Sequence, residues 1–262
     1  MPLVSPFPLE KVKEAVPGVK LVVAPNPSPL TLGGTNTWVV GGWVVDPGPA
    51  DPAHLAAVQA AAGSIEGVVL THSHLDHSES APELAARGGG VEVVLPGDGD
   101  VVGPFSAIAT PGHSADSVCL LYERVLFTGD TVLGEGSVFI SPGEGSLSAY
   151  LESLERLLDL DLDAICPGHG PVVHDPIAKL REYRDHRLER EARVLAALGD
   201  GARTQDELLA KAWSDVDLSA APLLRVAASA TLAAHLQKLS GEGRLPSGIE
   251  PDAVEGPAFG EP

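Results

Sequence analysis

Aromatic residues are scarce in this chain, at 4% of 262 residues, so Ala, Val and Leu must fill its core. Cysteine is scarcer still, with Cys119 and Cys166 alone. Two cysteines cannot build a disulfide framework, and a reducing compartment, the cytoplasm, is expected. No run of 18 apolar residues occurs, which excludes a membrane-spanning helix. The opening MPLVSPFPLEKVKEAVPG lacks a basic start followed by an apolar stretch, so it does not read as a secretory signal. Basic charge is also short: 17 Lys and Arg stand against 36 Asp and Glu, a net of −19. Such a balance argues against a protein that grips polyphosphate nonspecifically, because that affinity comes from Lys and Arg neutralising phosphates.

Gly (29) and Pro (23) are plentiful, which implies many turns between short elements. The acidity is uneven. Residues 1–175 hold 6 basic and 22 acidic side chains, whereas residues 176–247 hold 11 and 10. The pattern changes at the same place, and four segments follow: 1–175, a linker helix over 176–200, a small module over 201–246, and a flexible tail over 247–262. In the first segment, WVVGGWVV (38–45) predicts a hairpin about Gly41-Gly42. Short strands are expected at 68–70, 91–95, 107–109, 117–122, 125–127 and 164–166, and helices at 54–62 and 147–158. Ser80-Ala-Pro-Glu83 and Thr204-Gln-Asp-Glu207 both have capping-box spacing and predict helix starts, the first running through Arg87. An Arg/Glu-dense helix is expected over 176–198, its 181–193 charges forming a solvated face. Helix, turn, helix to about Leu239 and a short Gly243-Arg244-Leu245 strand then resemble a winged helix.

The chemistry concentrates in Thr71-His72-Ser73-His74-Leu75-Asp76-His77, which holds three of the nine histidines. Imidazoles at i and i+2 on an extended loop project to one side and can share a cation. Asp76 and His77 then turn toward a second position. Protonated imidazoles packed this tightly would repel one another, and a cation removes that conflict. Three later turns repeat the design, each just after a predicted strand: Thr110-Pro-Gly-His113, Thr128-Gly-Asp130 and Pro167-Gly-His169-Gly. Five His and two Asp suit two divalent metal ions, zinc or alternatively manganese. His54, His186 and His235 read as surface or packing side chains. His174, close after His169, is a candidate for supporting the site.

These residues resemble the metallo-β-lactamase superfamily, in its order and at its loop positions. The resemblance implies an α+β fold, a four-layer αββα sandwich with a dinuclear site at one edge of two sheets. It implies that His72, His74 and His113 hold one metal, that Asp76, His77 and His169 hold the other, and that Asp130 bridges them. Thr35-Asn36-Thr37-Trp38, Gly129–Gly134, YLESLERL (150–157), Pro167–Pro171 and Tyr183–Arg187 resemble, more narrowly, the β-lactamase-like branch with a C-terminal winged helix. Animal members of that branch are described as single-strand endoribonucleases, and similar fungal proteins as thioesterases.

The expected function is therefore a two-metal hydrolase. A hydroxide held between the cations attacks a carbonyl or phosphoryl centre, with Asp76 orienting it or passing its proton on and Asp130 as bridge. No Ser stands in a G-x-S-x-G elbow. The acidity of residues 1–175 favours a small acyl substrate, a thioester, ester or lactone, over single-stranded RNA. Two other readings are a nucleic-acid-binding winged helix and an iron-dependent oxygenase on the same fold. The first is weakened because Pro222–Leu239 carries only Arg225 and Lys238 as basic residues.

Overall fold

The structure, a computed structural model, describes residues 12–219 and 222–249. The part of the predicted tail from residue 250 onward lies outside them. By compactness the chain divides into a first unit within 1–110, 116–137 and 160–177, and a second within 111–115, 138–159 and 178–262.

The first unit is built on two sheets. One contains β1 (Val12–Val16), β2 (Val19–Val23), β3 (Asn36–Val40), β4 (Trp43–Val45), β5 (Gly67–Val69) and β6 (Val93–Val94), in that order. Pairing is antiparallel as far as β4, then parallel through β5 and β6. The other runs β11-β10-β9-β8-β7, from β7 (Val101–Val102), β8 (Phe105–Ala109), β9 (Val118–Tyr122), β10 (Val125–Gly129) and β11 (Ala164–Pro167). Only its β10/β11 pair is parallel. The predicted hairpin forms as β3–β4. The β1–β2 hairpin turns at Pro17-Gly18, where Gly18 takes a φ of 76° that L residues resist.

Side chains alternate across the first sheet, as the period of two requires. Trp38, Val40, Val45 and Val69 pack against Phe105, Leu120, Phe127 and Cys166 of the second sheet. Val39, Val44 and Val68 point the other way, under Leu55 and Val58 of α1 (Pro52–Ala62) and Leu84 of α3 (Ala81–Arg87). Each fully buried Val or Leu contributes about 1.5–3 kcal/mol. Asp51 caps α1 by accepting from the His54 N–H at 2.6 Å, with Pro52 in the first turn. The cysteines are inert packing groups: both are buried, and burial pushes the Cys119 thiol up to about 11.

The second unit contains α4 (Leu147–Leu158), nearly all of α5 (Pro176–Gly199), α6 (Gln205–Ala212) and α7 (Pro222–Gly241). Val194, Leu198, Leu208, Leu209, Leu232 and Leu236 form its core. Thr204 and Glu207 close the reciprocal capping box that starts α6.

Three expectations require correction. Ser80 does not cap α3: its backbone is helical (φ −80°, ψ −8°), and its hydroxyl donates instead to the Pro49 carbonyl at 2.5 Å. No strand forms at Gly243-Arg244-Leu245, which is turn and irregular chain. The Arg/Glu face of α5 is not uniformly solvated, because Arg187, Arg190 and Glu191 are buried. Arg190 lies over the Trp213 ring and makes a two-pronged pair with Asp215 at 2.9 and 3.2 Å. Glu191 accepts from Lys238 at 2.6 Å and from Arg244 at 2.8 Å. Helical charge spacing alone cannot distinguish such buried pairs from solvated ones. Among the described residues no helix is long and apolar enough to cross a membrane.

Candidate metal centre

The site of the first unit is built at strand ends. β5 runs into the extended segment Thr71–His74, and the single helical turn α2 (Leu75–Ser78) carries Asp76 and His77. Asp130 follows β10 and His169 follows β11. Close approach of the two sheets here depends on glycine: a Cβ on Gly129, whose φ is 47°, would lie 2.2 Å from the Thr71 hydroxyl oxygen. A Cβ on Gly168 would lie 2.5 Å from Asp130 Oδ1 and 2.7 Å from His77 Cε1.

His77 Nε2 stands 3.3 Å from His169 Nε2, and 3.5 Å from both Asp76 Oδ2 and Asp130 Oδ1. His169 Nε2 stands 3.3 Å from Asp76 Oδ2 and 3.4 Å from Asp130 Oδ2. Beside them His72 Nε2 meets His74 Nδ1 at 3.1 Å, with the His72 and His77 rings 4.3 Å apart between centroids. His113 stands on the 111–115 segment of the second unit, where its Nδ1 bonds to the Phe139 carbonyl at 2.9 Å.

The tautomers follow from what the other ring nitrogens face. His77 Nδ1 donates to Asp46 Oδ2 at 2.9 Å, and His169 Nδ1 donates to the Gly34 carbonyl at 3.3 Å. The Thr71 hydroxyl gives its proton to Asp46 Oδ2 at 2.7 Å, so at 3.0 Å it accepts from His72 Nδ1. Phe139 O can only accept, which fixes His113 the same way. In all four rings Nδ1 keeps its proton, so Nε2 is the nitrogen that a neutral ring leaves bare and that can give up any proton it carries to a metal.

Asp46, just after β4, is the functional residue that motif reasoning missed. It is 1% exposed, with a φ of 49° that Asp tolerates better than most residues. Its carboxylate accepts from the Thr71 N–H, the Thr71 hydroxyl and His77. Asn36 and Trp38 perform a similar service for the turn bearing His169. Asn36 Nδ2 donates to the carbonyls of Pro167 and Gly170, and Trp38 Nε1 donates to Pro167. His174 and His186 are exposed. His54 and His235 are buried, which makes them packing rather than surface histidines.

The electrostatics describe a site that requires positive charge. Burial opposes the charge on His77, yet the Asp130 and Asp46 carboxylates outweigh it and raise its pKa well above the usual value. Burial likewise opposes a charged His169, but Asp130 and Asp76 push its pKa up to about 9. Against their own burial, Asp130 is held well below the carboxylate range by His169 and His77, and Asp76 is lowered mainly by its bond to His169. Without a cation, protons supply that charge. Mixed imidazole and carboxylate donors directed inward in this way are a donor set for divalent metals. Asp76, His77 and His169 present ligand atoms within 4.8 Å of one another, the reach of a single ion.

The family model of the metallo-beta-lactamase superfamily matches residues 30–101 and 92–169. The chain is 33% identical over 228 residues to the beta-lactamase-like protein 2 homolog of Caenorhabditis elegans, covering 73% of each chain. It is 35% identical over 218 residues to an atrochrysone carboxyl ACP thioesterase of Aspergillus chevalieri, covering 73% of this chain and 69% of that one. A crystal structure of a metallo-beta-lactamase family protein from Thermus thermophilus shares the fold, with a TM-score of 0.67 and 23% identity, over 90% of this chain and 97% of that one. With that fold, these relatives and a converging His/Asp donor set, the chain belongs to the metallo-beta-lactamase superfamily as a metal-dependent hydrolase.

Proposed function

We propose that the chain is a dinuclear hydrolase of a thioester, ester or lactone. In this reading His72, His74 and His113 hold one divalent ion, Asp76, His77 and His169 hold a second, and Asp130 serves both. The observation that carries it is the shared orientation: four imidazoles have Nδ1 committed to an acceptor, which leaves Nε2 as the nitrogen available to a metal. The nitrogen-rich donor set favours zinc, with manganese as the alternative. Cations bound there supply Lewis acidity, which acidifies water near neutral pH and polarises the electrophile.

The chain's own residues do the rest. Asp76 is the more accessible carboxylate, its side chain 32% exposed against 13% for Asp130, and it orients the attacking water and takes its proton. Asp130 stays ionised between His77 and His169. Asp46 and Thr71 hold His77 and His72 in the required tautomer. A net charge of −16 over residues 1–175 disfavours a polyanion, and the thioesterase relative adds weight to an acyl substrate.

A second reading, a single-strand endoribonuclease, draws on the 11 basic side chains of residues 176–247. There the α6–α7 pair serves as a winged-helix-like module, lying against the strand rather than in a duplex groove. The deciding experiment offers acyl-thioesters, lactones and single-stranded RNA to metal-loaded wild type and Asp130→Ala. Thioester or lactone cleavage at least a hundredfold above the variant is expected. Cleavage of RNA alone would establish the second reading. Equal rates for both proteins on every substrate would remove the hydrolytic assignment of this site.

A further inference from the structure

His54 is fully buried on α1 and belongs to no motif, yet its contacts lead to the ligand His77. Its Nε2 lies 2.9 Å from Thr37 Oγ1 and 3.1 Å from the Pro47 carbonyl. Pro47 O can only accept. The Thr37 hydroxyl spends its one proton on the Asp46 carbonyl at 2.7 Å, so it too accepts from the ring. His54 is therefore an Nε2–H donor to two acceptors. Both acceptors belong to, or hold, the turn Asp46-Pro47-Gly48.

That turn grips His77 from two sides. Asp46 Oδ2 takes the Nδ1–H, and the Gly48 N–H donates to the His77 carbonyl at 3.0 Å. The Gly48 carbonyl accepts from the Ser80 N–H at 3.0 Å, which ties down the chain beyond α2. Asp46 (φ 49°) stands in left-handed backbone that disfavours a residue with a Cβ, whereas Gly48 (φ 84°) adopts it freely, so contacts from outside the turn help to hold Asp46 in place. A Cβ on Gly48 would lie 3.1 Å from His54 Nε2, so the ring fills the space beneath the turn as well as bonding to it.

We propose that His54 is a positioning residue for the metal centre: its Nε2–H locks the Asp46–Gly48 turn, and the turn fixes the orientation of the His77 imidazole. The inference deepens the dinuclear reading but stands on contacts that exist without metal. A group two bonds removed from a ligand acts only through geometry, and outer-shell losses of this kind are worth ten- to a hundredfold in metal affinity.

The test compares His54→Gln with His54→Met in the full chain. Gln places an amide N–H near the position of Nε2, and Met has similar bulk but no donor. The first readout is solvent exchange of the His77 Nδ1–H, followed by proton–nitrogen NMR of the metal-free protein. Exchange is expected to be slow in wild type and His54→Gln, and at least tenfold faster in His54→Met. The second readout is zinc affinity against a competing chelator, where His54→Met loses at least tenfold at one of two sites and His54→Gln restores it. Equal exchange in the two variants would overturn the role of His54, whatever the zinc titration gives. Protected exchange in a wild type that takes up no zinc would instead overturn the dinuclear reading and leave the positioning role standing.

Discussion

Replacing Asp46 by Asn separates the support of the site from its ligands, because the Asp46 carboxylate acts through its hydrogen bonds to Thr71 and His77. That carboxylate accepts three hydrogen bonds from a 1% exposed position. An amide offers one acceptor oxygen and one donor group in the same space. If the oxygen faces the Thr71 hydroxyl and His77, the NH2 group meets the Thr71 N–H, donor against donor. If it faces the Thr71 N–H, the NH2 group meets His77 Nδ1, which must give up its proton. The ring then carries its proton on Nε2, the nitrogen aimed at Asp76, Asp130 and His169. Either arrangement removes at least one charge-assisted bond, worth about 1.5–3 kcal/mol. Adding the unsatisfied donor, Asp46→Asn should destabilise the metal-free protein by about 2–4 kcal/mol in urea denaturation. Zinc titration should show one of two sites weakened ten- to a hundredfold and the other nearly unchanged. Wild-type stability together with two wild-type zinc constants would refute the argument that Asp46 sets the His77 tautomer.

Other consequences follow from the same contacts. His169 rises from 6.5 to about 9 on folding, so its stabilising contribution in metal-free protein is complete below pH 6.5 and is lost as pH climbs through about 9. Denaturation midpoints of the metal-free protein should fall across that window, and those of the zinc-loaded protein should not. Gly168→Ala puts a Cβ 2.5 Å from Asp130 Oδ1 and should weaken zinc binding at least tenfold, read by chelator competition. Arg190→Met strips the Ala212 carbonyl of its partner and leaves Asp215 paired with Arg193 alone at 2.7 Å, and should cost about 1–2 kcal/mol in thermal or urea unfolding, discounted because Asp215 is 40% exposed. Its zinc stoichiometry should remain that of wild type.

How much could be read from the chain alone depended on whether the signal was local. The histidine cluster and the three later turns were legible because each puts metal-type residues beside a strand end. β3–β4 and α4 were legible from periodicity, and α4 spans Leu147–Leu158 as expected. The two capping boxes show the limit. Thr204 and Ser80 share the spacing, but Ser80 follows α2 directly and continues in helical backbone, so its side chain has no N-terminus to cap. Asp46 left no spacing signature, because a single acid after a strand becomes significant only when Thr71 and His77 arrive from elsewhere in the chain. The β1–β2 hairpin does carry a local signal, a Pro17-Gly18 pair between apolar runs. The burial of Arg187, Arg190 and Glu191 has no sequence signature, because charge on a helix says nothing about what packs over it.

The central claim is that these imidazoles and carboxylates hold a pair of cations, and metal counting tests it most directly. Chelator-stripped protein is titrated with zinc and the bound metal measured after gel filtration, for wild type and for His77→Ala. The account predicts two equivalents per wild-type chain and a loss of one in the variant. A single equivalent in both proteins, or none in either, would contradict it.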